Sequence, residues 1–209
     1  MKFKTTIFLS VIVMISANVF GQKPEAKPEA KTTETKSTPS SVKLPAAKEI
    51  LDRYVQAIGG RAANEKIKTR VLKGTIELAP MGVKGTEEIY QSAPDKIYTK
   101  LDLNGIGETK VVYDGKTAWM TDPIQGMRDI TGDQLTQMKL TYNLQREINL
   151  DRLYPKMEVK GIEKVGDREA YVVVATPAGL APETFYFDVK NGLLLRYDAV
   201  TISPAGKMP

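Results

Sequence analysis

A chain of 209 residues with neither cysteine nor histidine has no disulfide, no thiolate or imidazole metal ligand and no imidazole base. The commonest zinc and acid-base chemistries are thereby removed. The formal charge of +5 belongs to one end: 7 of the 30 Lys+Arg but only 3 of the 25 Asp+Glu lie in residues 1–43. The rest carries 23 basic against 22 acidic residues, which leaves no electrostatic footprint for nucleic acid.

Lys2 and Lys4 precede an apolar run at residues 7–20, broken only by Ser10, Ser16 and Asn18. The run is too short to span a bilayer and fits a secretory signal over residues 1–21, cut after Gly21. The expected product is exported and periplasmic, without a transmembrane segment in the mature protein. Lacking cysteine, it has no lipid anchor and is expected to be soluble. Residues 22–43, rich in Pro, Lys and Thr with a short KPEA duplication, bury too little apolar surface to offset their ordering entropy and are predicted to be a disordered linker. Residues 44–209 suffice for one domain with a sizeable core.

That domain opens on a helix, with Ala47, Ile50, Leu51, Tyr54, Val55 and Ile58 along one stripe and Gly59-Gly60 as its stop. RAANEKIKT adds an irregular turn. From Thr69 the period changes to two: Leu72, Gly74, Ile76 and Leu78 share one face, and Lys73, Thr75 and Glu77 the other. The runs VKGTEEIYQ, DKIYTKLDL and ETKVVYD follow, separated by short turn-rich segments that imply an antiparallel meander. After Asp114-Gly115 come KTAWMT and MRDI. The Thr131–Asp133 stretch then offers N-cap chemistry for a second amphipathic helix over residues 133–148, with Leu135, Met138, Tyr142, Leu144 and Ile148 on its stripe. KMEVKGIEKV and REAYVVVATP resume the strands. Asn191-Gly192 closes a hairpin between ETFYFDV and LLLRYDAVTI, with Phe185 and Phe187 on one face and Tyr186 on the other. About nine strands with two inserted helices give a mostly β (α+β) domain. The expected architecture is a curved antiparallel sheet forming an incomplete, unclosed β-barrel with helices packed on its concave face.

ILDRYVQAIGGRAA, SAPDK, YDGKTAWMTDPIQGMRDITGDQL and FYFDVKNGLLLR together resemble the exported LolA/LolB-like proteins, in the poorly characterised branch named for outer-membrane lipoprotein sorting. The resemblance implies an unclosed barrel with a helical lid over an apolar cavity that receives lipid or the acyl chains of lipoproteins. It also implies that the barrel lacks its last strand or strands here.

No residue set points to catalysis. Ser92 and Ser203, the only serines after residue 43, have no histidine partner. Asp114 and Asp122 flank turns, where a carboxylate serves the local backbone. No acid spacing suggests a metal, and the glycines of LNGIGE and AIGGRAA suit a turn and a helix stop better than a phosphate cradle, so neither cofactor nor metal is expected. The expected ligand-binding set is apolar: Leu72, Ile76, Leu78, Ile97, Leu101, Val111, Tyr113, Trp119, Leu135, Met138, Tyr142, Phe185 and Phe187. Trp119, the one tryptophan, shares its strand face with Thr117 and Thr121 and either fills core under the helical cover or touches the ligand. Met120, Met127 and Met138 supply soft surface suited to a lipid tail, while Arg128 meets either a carboxylate or a ligand headgroup. The function expected is an envelope protein that holds a lipid or acyl chain. The alternative is a non-catalytic interaction or sensor module that recruits an envelope protein partner by strand addition.

Overall fold

A computed structural model describes residues 43–78, 81–203 and 206–208. The predicted signal and nearly all of the predicted linker lie outside these residues.

The first helix, α1 (Ala47–Ala57), buries Ile50, Leu51, Tyr54 and Val55, four of the six residues of the predicted stripe. At its start the Glu49 carboxylate accepts the Ala46 N–H at 3.2 Å, and beyond its end Gly59 and Gly60 take φ of 105° and 82°, a conformation cheap only for glycine. A short helix, α2 (Arg61–Glu65), follows.

Six strands then run as an antiparallel meander: β1 (Thr69–Leu78), β2 (Val83–Ser92), β3 (Lys96–Leu103), β4 (Gly107–Tyr113), β5 (Ala118–Asp122) and β6 (Gly126–Asp129). Asp114 and Asp122 build two of the turns. Asp114 Oδ1 accepts the Lys116 and Thr117 N–H groups, both at 2.8 Å, and Asp122 Oδ1 those of Ile124 at 2.9 Å and Gln125 at 2.7 Å. The Thr117 and Lys116 N–H groups hold the Asp114 carboxyl below its ordinary range.

The second amphipathic segment is shorter than the predicted 133–148 helix. Helix α3 (Gly132–Thr141) stops early, a 3-10 turn covers Arg146–Ile148, and α4 (Leu150–Leu153) completes the segment. Asn143 is the local reason: its side-chain oxygen accepts the Gln145 N–H at 2.9 Å, an alternative to continuing the helix. Packing is the larger one. Breaking the helix lets Leu144, Ile148 and Leu150 all be buried, which one straight stripe would not achieve.

A second antiparallel sheet has the order β10-β9-β8-β7, from β7 (Lys156–Val165), β8 (Arg168–Thr176), β9 (Glu183–Asp188) and β10 (Leu194–Asp198). A small hairpin, β11 (Thr201–Ser203) with β12 (Gly206–Met208), ends the described chain. Among the described residues no ladder joins the two larger sheets, so the strands form an unclosed arrangement, as expected, but in two pieces with α3, the 3-10 turn and α4 between them in sequence.

The predicted β9–β10 hairpin is present, with a loop longer than an Asn-Gly pair alone. The Asp188 carboxylate accepts the Lys190 and Asn191 N–H groups at 2.7 and 2.8 Å, and Gly192 turns at φ 75° directly beneath α1. A Cβ at Gly192 would lie 3.2 Å from the Arg53 backbone, while Arg53 donates to Val189 O at 2.8 Å. Glycine here serves the turn and the close approach of the helix together.

Two main apolar clusters result. One joins Ile50, Leu51 and Tyr54 of α1, Leu140 and Leu150 to Val173, Ala175, Phe185 and Phe187 of the second sheet. The other sets Met138 of α3 against Ile89, Ile97, Tyr113, Ala118, Met120 and Ile130 of the first sheet and its exit. Helix α3 contributes to both, Leu140 to one and Met138 to the other.

Candidate functional site

Directly opposed residues of an antiparallel sheet share a face, so the registers define each face of the first sheet row by row. One inner row runs Leu72, Ile89, Thr99, Val111, Met120, Arg128, and the next Arg70, Gln91, Ile97, Tyr113, Ala118. On the other side lie Gly74, Glu87, Leu101 and Thr109, then Ile76, Gly85, Leu103 and Gly107. Helix α3 covers the Leu72 and Arg70 rows of this face.

The structure gathers seven of the predicted site residues here. Ile97, Tyr113 and Met138 are buried in the cluster, with Leu72, Val111, Leu135 and Tyr142 half-buried around them. Ile76, Leu78 and Leu101 lie further along the same face and stay half-buried. Phe185 and Phe187 are not part of this patch: they stack 5.9 Å apart in the second sheet's cluster, Phe187 against Tyr54 of α1 at 5.1 Å.

Trp119 is on the opposite face, which corrects both of its expected roles. It pairs with Val112, which pairs with Tyr98, and Tyr98 with Tyr90, so the tryptophan belongs to an outer row away from α3. The cause is the turn at residues 114–117, where Asp114 N–H donates to Thr117 O at 3.2 Å and sets Ala118 opposite Tyr113. Parity then sends Trp119 outward. Met127 also lies outward and is 72% exposed, so of the three methionines only Met120 and Met138 face the cluster.

Ile89, Ala118, Met120 and Ile130 complete the inner surface beyond the expected set. Ile89 was masked by its strand neighbours Glu87 and Gln91, which occupy the same face and break the apolar alternation. These polar residues have work to do. Gln91 Nε2 donates to Tyr142 O at 2.8 Å and Arg70 donates to Leu144 O at 2.9 Å, fastening the chain just after α3 to the sheet. On the far side of α3 the Gln137 carboxamide behaves like a strand partner: its Nε2 donates to Val200 O at 2.5 Å and its Oε1 accepts the Ile202 N–H at 2.7 Å.

Besides Arg70, two charged residues interrupt this apolar surface, Arg128 and Glu87. Arg128 donates to Gln134 Oε1 of α3 at 3.2 Å, while its buried Nε has no hydrogen-bond partner among the described residues. Burial on the inner face pushes the Glu87 carboxyl above its ordinary range. The Tyr142 hydroxyl is pushed up too, first by burial and then by the Glu87 charge. With its folded pKa above the unfolded one, the contribution of Glu87 to stability is whole below the unfolded carboxylate pKa and is lost as pH rises through the folded value. Glu87→Gln is therefore expected to raise the melting temperature at pH 7 and to leave it unchanged near about pH 3. Thermal scans at both pH values check this, and a variant less stable at pH 7 would contradict it.

A cavity of about 10 Å³ between α3 and the C-terminal segment, lined by Asp133, Gln137, Gly179, Leu180, Ala181, Val200 and Ile202, has room for a single water. On the sheet side of α3, Met138 is packed into the apolar cluster, with Leu135 and Tyr142 against it. Among the described residues no three or more acidic side chains cluster in a way that would hold a metal ion, and no helix is long and apolar enough to cross a membrane.

No family model and no curated protein matches the chain. Solved structures similar to it include a LolA superfamily protein from Nitrosomonas europaea, at 13% identity and TM-score 0.43 over 78% of this chain and 74% of that one. Another is an outer membrane lipoprotein-sorting protein domain from Vibrio parahaemolyticus, at 11% identity and TM-score 0.42 over 75% of this chain and 74% of that one. A third is a DUF1329 family protein from Desulfovibrio piger, at 14% identity and TM-score 0.41 over 77% of this chain and 82% of that one. At such identities the likeness concerns the fold alone.

Proposed function

We propose that this chain is an exported envelope protein that binds a hydrophobic ligand, a lipid or the acyl chain of a lipoprotein, on the inner face of the first sheet, with α3 as the movable cover. One observation carries the reading: an apolar floor of Leu72, Ile76, Leu78, Leu101 and Val111 that remains half-buried beside a cover of ten residues. A floor built only for stability would be sealed, since each half-exposed leucine or isoleucine forgoes part of the roughly 1.5–3 kcal/mol that full burial provides.

An acyl chain lying along Leu101 and Leu72 takes the place of Leu135 and Tyr142, and the cover rises on its fastenings at Gln91, Arg70 and Gln137. The ligand's polar end has a fitting partner in Arg128, whose Nε has no partner among the described residues and suits a carboxylate or phosphate oxygen. Glu87, kept toward its neutral form by burial, tolerates an apolar neighbour better than an ordinary carboxylate would. Mass spectrometry of solvent extracts from natively purified protein tests the reading. A lipid recovered at near one equivalent is expected; repeated lipid-free extracts from protein that also takes up no added fatty acid would overturn it.

A further inference from the structure

We infer that β1 is a docking edge for a second copy of this chain, which it meets antiparallel about a two-fold axis at Thr75. The inference starts from how the sheet edges are protected, and it is independent of any ligand. An edge strand presents unpaired N–H and C=O groups, and proteins blunt such edges by shortness, bulges or lysines. β6 has four residues, and β10 has five with a register shift between Leu194 and Arg196. β7 has a register shift between Val159 and Gly161 and carries Lys156, Lys160 and Lys164. β1 alone among these is long and regular: ten residues in unbroken register with β2.

Its charges do not guard it. Lys73 turns back to Glu88 of β2 at 3.0 Å and lies 5.5 Å above the Tyr90 ring, and Glu77 faces Lys84 at 3.6 Å. Val71 is 55% exposed, and a Cβ at Gly74 would meet nothing within 4 Å. Among the described residues the edge is therefore open to another strand.

The sequence of β1 says which strand fits. Pairing two copies with Thr75 opposite Thr75 sets each Lys73 opposite the other copy's Glu77 on the outer face. On the inner face it sets Leu72 opposite Leu78 and Ile76 opposite Gly74. Both charge pairs are complementary, and the half-buried Leu72, Ile76 and Leu78 gain apolar neighbours. A one-residue slip would put outer residues against inner ones, and a two-residue slip would part Lys73 from Glu77, so parity and charge together select this register.

Because the chain has no cysteine, Thr75→Cys in the full chain gives an unambiguous readout. Across the axis the paired Cα atoms lie about 4.5–5.5 Å apart, inside the disulfide range. Thr86→Cys, one strand further in, lies about 14 Å from its mate, outside that range. Mild oxidation is expected to convert most of the Thr75→Cys protein, and little of the Thr86→Cys protein, to a covalent dimer on a non-reducing gel. In sedimentation velocity the unmodified chain is expected to run as a dimer and Thr75→Lys, with an unchanged circular dichroism spectrum, as a monomer. A monomeric unmodified chain, equal cross-linking at both positions, or a dimer that survives Thr75→Lys would overturn the inference.

Discussion

Arg146→Ala is expected to lower the unfolding free energy by about 3–5 kcal/mol, the usual cost of stranding one partner of a buried ion pair. Arg146 is 9% and Glu183 3% exposed, and they meet at 3.3 Å. Arg146 also donates to the Tyr154 hydroxyl at 2.7 Å, and that hydroxyl in turn donates to Glu183. The guanidinium sits among three rings, 5.8 Å from Tyr154, 5.4 Å from Phe185 and 4.8 Å from Tyr197. Removing it leaves a carboxylate in a low-dielectric pocket with the Tyr154 and Tyr197 hydroxyls, and no longer a positive charge, to answer it. The double replacement Arg146→Met with Glu183→Leu, which removes both charges, is expected to recover at least half of the loss. Urea denaturation at pH 7 measures both; a loss below about 1 kcal/mol for the single variant would mean that the pair contributes no more than a surface ion pair.

Met120→Ala and Met127→Ala are expected to differ several-fold although the residues lie on neighbouring strands. Met120 is 1% exposed within the first sheet's cluster, so its truncation costs about 2–5 kcal/mol through lost transfer and a residual cavity. Met127 is 72% exposed on the outer face, and its replacement stays within about 0.5 kcal/mol. Equal losses in the same denaturation experiment would place Met127 in a packed environment and contradict the assignment of faces.

That contrast marks what the sequence discloses and what it hides. Within a strand the period of two is plain: Phe185 and Phe187 face one cluster and Tyr186 another, as alternation requires. The extents of β7 and β8, the stripe of α1 and the Asp188–Leu194 hairpin are legible because turn residues and apolar periodicity agree there. The relation between strands is less legible. Trp119 went outward because the turn at 114–117 fixed a register that no composition rule specifies, and a slip of one residue would have sent it inward. The helix predicted at 133–148 failed for a related reason. Its periodicity is real, but Leu140, Met138, Leu144 and Ile148 serve different neighbours, and the chain bends at Asn143 to reach them. Arg146 carried no sequence signal, because its partner Glu183 is 37 residues away and becomes a neighbour only once the second sheet has formed.

The candidate site divides along the same line. Leu72, Ile97, Val111, Tyr113, Leu135, Met138 and Tyr142 converge because strand alternation and helical spacing both mark them apolar. The fastenings at Gln91, Arg70 and Gln137 escape such reading, since a polar residue on an inner face looks like an interruption until its backbone partner is known. Those fastenings fit the movable cover proposed above. Hydrogen bonds of this kind contribute about 0.5–1.5 kcal/mol each, enough to seat α3 and, on that proposal, few enough to let it rise.

The most direct test is titration of the folded chain with a fluorescent fatty acid, beside Leu101→Glu. The proposed site predicts saturable enhancement with one probe per chain, reversed by unlabelled fatty acid, and an affinity at least about tenfold weaker in the variant. Fluorescence that rises without saturation, or that is the same in Leu101→Glu, would contradict a ligand on the inner face of the first sheet.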